Sequence, residues 1–273
     1  MMTPEQRYFF DATGFLHLEK VLEGDELQKA QDAVERYVRT PADELPPGFA
    51  ARNGGGYSHG FAFDKHLETL TVHPRVWPIV KELTGDKPRF ASGTLSINTH
   101  ERKSVVPLHC ARDSWGPQTP RYSCENGRIY CDYFIAFYYL TDVYPGDGGL
   151  VVVPGSHKCG LPCPEGFFVP EREGVDPDPH PALLNITPKA GDVVIISELL
   201  THGVLIWKPE DRDRRFLGLR YVPQFIGSTD ENLPFPFPDE ILERLSPETR
   251  ELIEFAPRSR VKEIVEKDVL TLS

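Results

Sequence analysis

The sequence contains few cysteines and methionines, and its cysteines do not indicate a secreted protein. Among 273 residues there are two methionines and five cysteines. An odd number of cysteines does not fit a fully paired disulfide framework. The opening residues carry Glu5 and Arg7 where a signal peptide would have an apolar run. We therefore expect free thiols and a cytoplasmic protein.

Long apolar segments are absent as well. The longest apolar run, from Tyr133 to Leu140, has eight residues, whereas a helix needs about 20 residues to cross a bilayer. The sequence therefore excludes a transmembrane helix and predicts no membrane partner.

Basic residues are few relative to acidic ones. The 30 lysines and arginines stand against 41 aspartates and glutamates, which gives a formal net charge of −11. Because a negative field repels phosphate backbones, the sequence argues against nucleic acid as a partner. No pattern in it indicates the oligomeric state.

The sequence has an ordinary globular composition, with helical patterns in its first part and β-strand patterns after them. Hydrophobic residues make up 40% and charged residues 26%, which excludes disordered and fibrous proteins. Thr3 followed by Pro4 predicts a helix start, a second helix opens at Gly24, and a third is predicted from Pro74 to Leu83. From Arg89 onward the pattern changes to short β-rich runs separated by turn residues.

This order of elements predicts a single, mainly β domain over residues 1–273. Helices followed by many strands indicate a helical layer against a β-sandwich or jelly roll. We divide the domain into a helical layer at 1–88, a β-core at 89–225 and a C-terminal extension at 226–273. Within the extension, residues 238–255 return to a helical pattern.

Two histidines have a context suited to metal binding. His109 follows an apolar β-type run, and His202 lies at the end of the strand that begins near Asp192. Neutral imidazoles suit iron, zinc and copper. Because the two histidines are far apart in the chain, only a folded sheet can bring them together.

The stretch from Tyr139 to Lys158 carries the most specific motif. It contains D-V-Y-P-G-D-G and then a strand that runs into P-G-S-H-K, and it resembles the signature hairpin of the phytanoyl-CoA dioxygenase family. Residues 191–203 are similar to the family's distal-histidine strand, and residues 211–221 resemble its R-R-x-x-x-x-R-Y strand. Residues 5–16 resemble its N-terminal helix and first strand, so the resemblance covers residues 4–225 in order.

The resemblance implies a double-stranded β-helix, the cupin-like jelly roll, buttressed by N-terminal helices and followed by a C-terminal helix. It also implies an oxidoreductase that binds Fe(II) and uses 2-oxoglutarate and O2 as co-substrates. Such enzymes hold iron through two histidines and one carboxylate on one face of the ion. The expected reaction is hydroxylation of an unactivated C–H bond of a small-molecule substrate, coupled to decarboxylation of 2-oxoglutarate to succinate.

The same resemblance implies roles for individual residues. His109 and His202 correspond to the metal-binding, catalytic histidines, and Arg214 to the residue that binds the distal carboxylate of 2-oxoglutarate, a role that suits the guanidinium fork. Arg215 is the alternative, because adjacent residues of a strand face opposite sides and only one of the two can point inward. Phe137 and Leu95 fall where the family packs side chains around the co-substrate. The alternative is that these two residues only pack in the hydrophobic core.

The sequence departs from the family at the acid of its H-x-D motif, where position 111 is alanine. Asp113 is the carboxylate expected to take over as catalytic and metal-binding residue. A straight strand of four residues spans about 13 Å, which is too far for His109 and Asp113 to share an ion. This interpretation therefore requires the chain to turn at Ala111 and Arg112.

Two other interpretations of the missing acid remain open. In the first, water or chloride fills the position beside Ala111, and chloride would add the same negative charge as a carboxylate. Iron halogenases related to this fold carry Ala or Gly there, so halogenation is the alternative reaction. In the second, the scaffold has lost its redox chemistry, and the protein only binds a small molecule or a metal.

Overall fold

The strands of the protein form two stacked antiparallel sheets and a separate hairpin. A computed structural model of the chain describes residues 1–52, 54–102, 105–115, 120–164, 167, 180–227 and 237–273, without the side chains of residues 114 and 115. Its strands are β1 (Phe15–Leu18), β2 (Gly56–Tyr57), β3 (Pro88–Asn98), β4 (Val106–His109), β5 (Tyr122–Glu125), β6 (Arg128–Cys131), β7 (Phe134–Tyr139), β8 (Gly149–Val152), β9 (Leu184–Asn185), β10 (Val193–Ser197), β11 (His202–Leu205) and β12 (Arg214–Pro223).

The larger sheet has the order β1-β10-β7-β12-β3-β2, the smaller one has the order β4-β11-β8-β9, and β5 pairs with β6. Every strand pairing that the structure describes is antiparallel. Apolar side chains from both large sheets meet between them, which confirms the predicted jelly roll. We call this set the inner core: Phe15, Ile135, Phe137, Tyr139, Val143, Leu150, Val152, Ile186, Val194, Ile196, Leu200, Trp207 and Phe216.

Helices lie at both ends of the chain. They are α1 (Pro4–Thr13), α2 (Gly24–Arg39), α3 (Lys65–Glu68), α4 (Trp77–Leu83), α5 (Ala111–Trp115), α6 (Asp239–Leu242), α7 (Pro247–Ile253) and α8 (Glu263–Glu266). Apart from α5, they contribute to a second cluster on the other face of the larger sheet, which we call the outer core; it joins Val34 and Trp77 to Leu95 and Leu217. None of the helices that the structure describes has both the length and the apolar character needed to cross a membrane.

The first helix shows how completely some boundaries are encoded locally. The Thr3 hydroxyl accepts the Gln6 backbone N–H, and the Gln6 side chain accepts the Thr3 backbone N–H. This capping box starts the helix. Gly14 ends it in the left-handed conformation, at φ 85°, where its N–H reaches the Phe10 carbonyl.

Two features of the architecture differ from the sequence-based expectation. The segment 1–88 is not purely a helical layer: β1, the first strand that the family resemblance implied, pairs with β10, and β2, which was not expected, pairs with β3 in the larger sheet. The described part of the C-terminal extension, residues 237–273, also contains three short helices rather than one. Its helical pattern is interrupted because the Ser246 hydroxyl accepts the Thr249 N–H and so begins α7 as a separate helix.

Two glycines in the turn between β7 and β8 provide a matched test of the packing. Gly146 and Gly148 have φ values of +93° and +96°. A Cβ at position 148 would overlap the carbonyl oxygen of Ile206, whereas a Cβ at position 146 would meet nothing within 4 Å. Either alanine costs about 1–2 kcal/mol for the left-handed backbone, and the clash adds about 1–3 kcal/mol.

We therefore expect Gly148→Ala to lower the free energy of unfolding by clearly more than Gly146→Ala does. Urea denaturation of the two variants measures the difference. Equal losses would contradict the close approach of this turn to the strand that precedes Trp207.

Candidate metal centre and anion pocket

The pairing of β4 with β11 brings the two predicted histidines together. His109 lies directly opposite His202 in the register of this antiparallel pair. The centroids of the two rings are 4.3 Å apart. His202 is buried and His109 is exposed, so the pair lies at an accessible edge of the smaller sheet.

Both rings are oriented by the backbone just before them. His109 Nδ1 lies 2.9 Å from the Pro107 carbonyl oxygen, and His202 Nδ1 lies 2.7 Å from the Leu200 carbonyl oxygen. A carbonyl only accepts hydrogen bonds, so each Nδ1 carries the proton and each Nε2 keeps a lone pair. Burial also lowers the pKa of His202, which favours the neutral ring. Two neutral Nε2 atoms side by side fit a divalent transition metal.

Asp113 does not join the two histidines. The chain does turn after His109, but it turns into α5, and the Asp113 carboxylate accepts the Cys110 backbone N–H at 2.8 Å at the start of this helix. Its side chain is exposed. Within the described ranges, no three His, Cys, Asp or Glu side chains are grouped so that they could hold a metal ion. The structure thus corrects the expectation for Asp113, because the helix start uses its carboxylate.

Sequence reasoning missed a carboxylate that does face the histidine pair. Glu198 is only 6% exposed, and its Oε2 lies 3.9 Å from His202 Nε2. Its backbone carbonyl accepts the Ala111 N–H at 2.7 Å. The available signal was a single charged residue in an apolar stretch, four positions before His202.

The Glu198 carboxylate is ionised despite its burial. Burial raises the pKa of this carboxyl, but the Arg220 guanidinium lowers it by more, so the net pKa lies below the ordinary value. Arg220 Nε donates to Glu198 Oε1 at 2.7 Å. The histidine pair therefore has a negatively charged neighbour that is already held in place.

The buried Arg214 guanidinium is a candidate anion-binding group inside the sandwich, and we call its surroundings the anion pocket. Its side chain is 1% exposed, with Nη1 donating to Asn98 Oδ1 at 2.8 Å and Nη2 donating to the Tyr139 hydroxyl at 2.9 Å. Its guanidinium also lies 4.4 Å over the Phe216 ring. Gly149 makes room for it, since a Cβ there would lie 3.1 Å from Arg214 Nε.

This guanidinium lacks a counter-ion of its own. In the part of the chain that the structure describes, both recorded partners of Arg214 are neutral, and its Nε has no partner. A buried charge without an opposite charge is costly. Each Nη atom keeps a second N–H, so the fork is available for the carboxylate of a ligand.

The neighbouring arginine faces the other way. Arg215 forms ion pairs with Glu35 of α2 and with Asp213. The hydrogen bond from Arg215 lowers the pKa of Glu35 below its ordinary value. Successive side chains of β12 point to opposite faces of the sheet. Arg214 therefore lies on the inner face, and Arg215 connects the sheet to α2.

Phe137 and Leu95, the two apolar residues expected around the co-substrate, lie on opposite faces of the larger sheet. Phe137 belongs to the inner core, edge-on to Phe216 at 5.4 Å. Leu95 belongs to the outer core and is not brought to the site. The reason is strand parity, because Asn98, which bonds Arg214, lies three positions from Leu95 and so faces the opposite side of β3.

The anion pocket and the histidine pair are connected through β8. Arg214 lies against Gly149 at the start of this strand, and His202 pairs with Val152 at its end. Three residues of a strand span about 10 Å. A short dicarboxylate that reaches from the pocket toward an ion at the histidine pair fits this separation.

Comparisons with known proteins agree with this geometry. A profile of the family described as phytanoyl-CoA dioxygenase (PhyH) matches residues 10–204. The peroxisomal phytanoyl-CoA dioxygenase of Mus musculus is 26% identical over 228 residues, which cover 74% of this chain and 63% of the mouse protein. The Rattus norvegicus protein gives the same identity and shares over 227 residues. The chain thus matches less than two thirds of the length of these relatives.

Solved structures resemble the whole jelly roll. HygX from Streptomyces hygroscopicus, with nickel and 2-oxoglutarate bound, has a TM-score of 0.67 at 26% identity, over 83% of this chain and 88% of HygX. EctD from S. alaskensis, in its apoform, has a TM-score of 0.64 at 19% identity, over 82% of this chain and 78% of EctD. The likeness to EctD concerns the fold alone.

A divalent metal is expected to stabilise the protein through His109 and His202. Binding at 100 times the dissociation constant adds about 2.7 kcal/mol, which for a chain of this size raises the melting temperature by about 5–10 °C. Thermal unfolding with and without nickel measures the shift. His202→Gln should abolish it, whereas His66→Ala, at an exposed histidine, should preserve it. A shift that survives His202→Gln would place the metal elsewhere.

Proposed function

This chain belongs to the phytanoyl-CoA dioxygenase family, and from this membership we propose that it is an Fe(II)- and 2-oxoglutarate-dependent oxygenase. It hydroxylates an unactivated C–H bond of a small molecule and converts 2-oxoglutarate to succinate. The observation that carries the proposal is the pairing of His109 with His202 in the same sandwich as Arg214, a buried guanidinium for which the described residues provide no counter-ion.

The proposed roles follow from these contacts. The Nε2 atoms of His109 and His202 hold the iron, and the Arg214 fork binds the distal carboxylate of 2-oxoglutarate. When bound, iron and O2 supply the oxidation, in which 2-oxoglutarate loses CO2 and one oxygen atom of O2 enters succinate while the other enters the substrate.

The protein itself orients the co-substrate and keeps water away from it. Asn98 and Tyr139 hold two edges of the Arg214 guanidinium, so its remaining N–H groups point in fixed directions when the carboxylate arrives. The Tyr139 hydroxyl accepts from Arg214 and keeps its own proton, which it can donate to the same carboxylate. Phe137 and Phe216 line the apolar surroundings of this pocket and strengthen the ionic contact by excluding water.

A small molecule is the proposed substrate class. HygX has also been solved with nickel, 2-oxoglutarate and hygromycin B bound, so a protein of this fold and 26% identity accommodates a small molecule together with its co-substrate.

The five cysteines are unpaired, which supports the further proposal of a cytoplasmic location.

We do not propose halogenation for this protein. A halide bound at the histidine pair beside Ala111 would share that site with the ionised Glu198 carboxylate, whose Oε2 lies 3.9 Å from His202 Nε2. The cation nearest to that carboxylate, Arg220, is already paired with it. Like charges repel strongly at such short range, and no observation favours a bound halide.

Formation of the ternary complex tests the oxygenase proposal directly. Anaerobic addition of Fe(II) and 2-oxoglutarate is expected to produce the weak visible charge-transfer band of the chelated keto-acid, and admission of O2 should release succinate. His202→Gln should remove both signals. A wild-type protein that gives no band and no succinate would support a binding-only protein instead.

Arg214 and Arg215 provide a matched pair for the co-substrate site. Arg214→Gln removes a buried charge-assisted contact worth about 2–5 kcal/mol, so the dissociation constant for 2-oxoglutarate should rise by about 100-fold. Arg215→Gln should leave that constant unchanged and lower the melting temperature, because it breaks the ion pair to Glu35.

Titration of the charge-transfer band with 2-oxoglutarate measures both dissociation constants. The reverse pattern, in which Arg215→Gln weakens binding and Arg214→Gln does not, would contradict the assignment of the inner-facing arginine.

A further inference from the structure

The absence of an acid at position 111 leaves the histidine pair without the carboxylate that its motif normally provides. We propose that Glu198 is the acidic group of this metal centre, acting from the β10–β11 corner in place of an aspartate at position 111. This inference rests on the proposed function, since it assumes an ion held by His109 and His202.

The backbone brings Glu198 to the position where the acid is missing. The Ala111 N–H, at the start of α5, donates to the backbone carbonyl of Glu198 at 2.7 Å, so the β10–β11 corner lies directly beside position 111. The Glu198 side chain extends from this corner to the histidine pair. Its Oε2 ends 3.9 Å from His202 Nε2.

The orientation of this carboxylate is fixed by its other oxygen. Arg220 Nε donates to Oε1 at 2.7 Å, which leaves Oε2 directed toward His202. Burial of the residue, at 6% exposure, prevents the side chain from turning away into solvent. A carboxylate that served only the ion pair with Arg220 would not need to lie against a metal-binding ring.

The distance defines how Glu198 acts. Two atoms bound to one ion at about 2.0–2.2 Å lie at most about 4.4 Å apart, so His202 Nε2 and Glu198 Oε2 are within reach of one ion. In the described parts of the chain, however, no three acidic, histidine or cysteine groups are already arranged around one point. Glu198 is therefore a positioning residue, which acts through one water molecule bound to the ion.

If Glu198 has this role, the metal centre needs no bound chloride. The Glu198 carboxylate supplies the negative charge that would otherwise come from aspartate or chloride, so metal binding should not depend on chloride. Outer-shell carboxylates of this kind typically contribute 10–100-fold to metal affinity. That range is the expected size of the effect.

The experiment measures cobalt(II) affinity by visible absorption and calorimetry, in chloride-free buffer. We expect Glu198→Gln to weaken binding by 10–100-fold and to shift the cobalt absorption bands. We expect an aspartate introduced by Ala111→Asp in the Glu198→Gln background to restore most of the affinity. The affinity of the wild-type protein should not change when chloride is added.

A second buried glutamate provides the control for structural damage. Glu82 is fully buried and pairs with Arg7, on the helical side of the molecule. Glu82→Gln removes a comparable buried ion pair, so it should lower the melting temperature without changing the cobalt affinity. Circular dichroism of both variants verifies that they are folded.

Three results would overturn the proposal. They are a Glu198→Gln protein that binds cobalt as tightly as the wild type, a wild-type affinity that rises with chloride, and a double variant as weak as Glu198→Gln alone. If His202→Gln abolishes binding while Glu198→Gln does not, only this inference fails. If the wild-type protein binds no metal at all, the proposed oxygenase function fails with it.

Discussion

The antiparallel pairing of β4 with β11 is the constraint on which the rest of the site depends. It puts His109 directly opposite His202, and each ring is then oriented by the carbonyl two residues before it. Both imidazoles are thus placed by paired strands, with one irregularity of register between His202 and Val204, rather than by a loop that must order on binding. Sites that are built on strands in this way are rigid before the ligand arrives.

Because successive side chains of a strand point to opposite faces, neighbouring residues of β12 serve ligand binding and fold stability separately. On β12, Arg214 faces the inner core and has no counter-ion in the part of the chain that the structure describes, whereas Arg215 faces α2 and pairs with Glu35. A buried unpaired charge lowers the stability of the folded chain, and that cost is tolerated where a ligand later supplies the opposite charge. Asn98 and Tyr139 reduce the cost by hydrogen bonding the guanidinium without neutralising it.

The alanine at position 111 changes where the negative charge of the site comes from, and does not remove it. The charge stands at Glu198, which the sheet corner joins to Ala111 through one backbone hydrogen bond. Because the corner and the strand end are adjacent only in the folded sheet, an acid can be exchanged between them without altering the histidines. A site of this kind is defined by the position of its charges in space rather than by the spacing of one motif.

The sequence alone determined the features that are encoded over a few residues. These include the hydroxyl cap that begins α1 and the order of helices and short β-rich runs that indicates a jelly roll. The two histidines were also identified from the sequence, although His202 begins β11 rather than ending the strand before it. Only the tertiary structure decided which of Arg214 and Arg215 points inward, that Leu95 faces the helices, and that the Asp113 carboxylate serves a helix start while Glu198 faces the histidines. These outcomes depend on strand register and on contacts between distant segments, and no local pattern of residues specifies either.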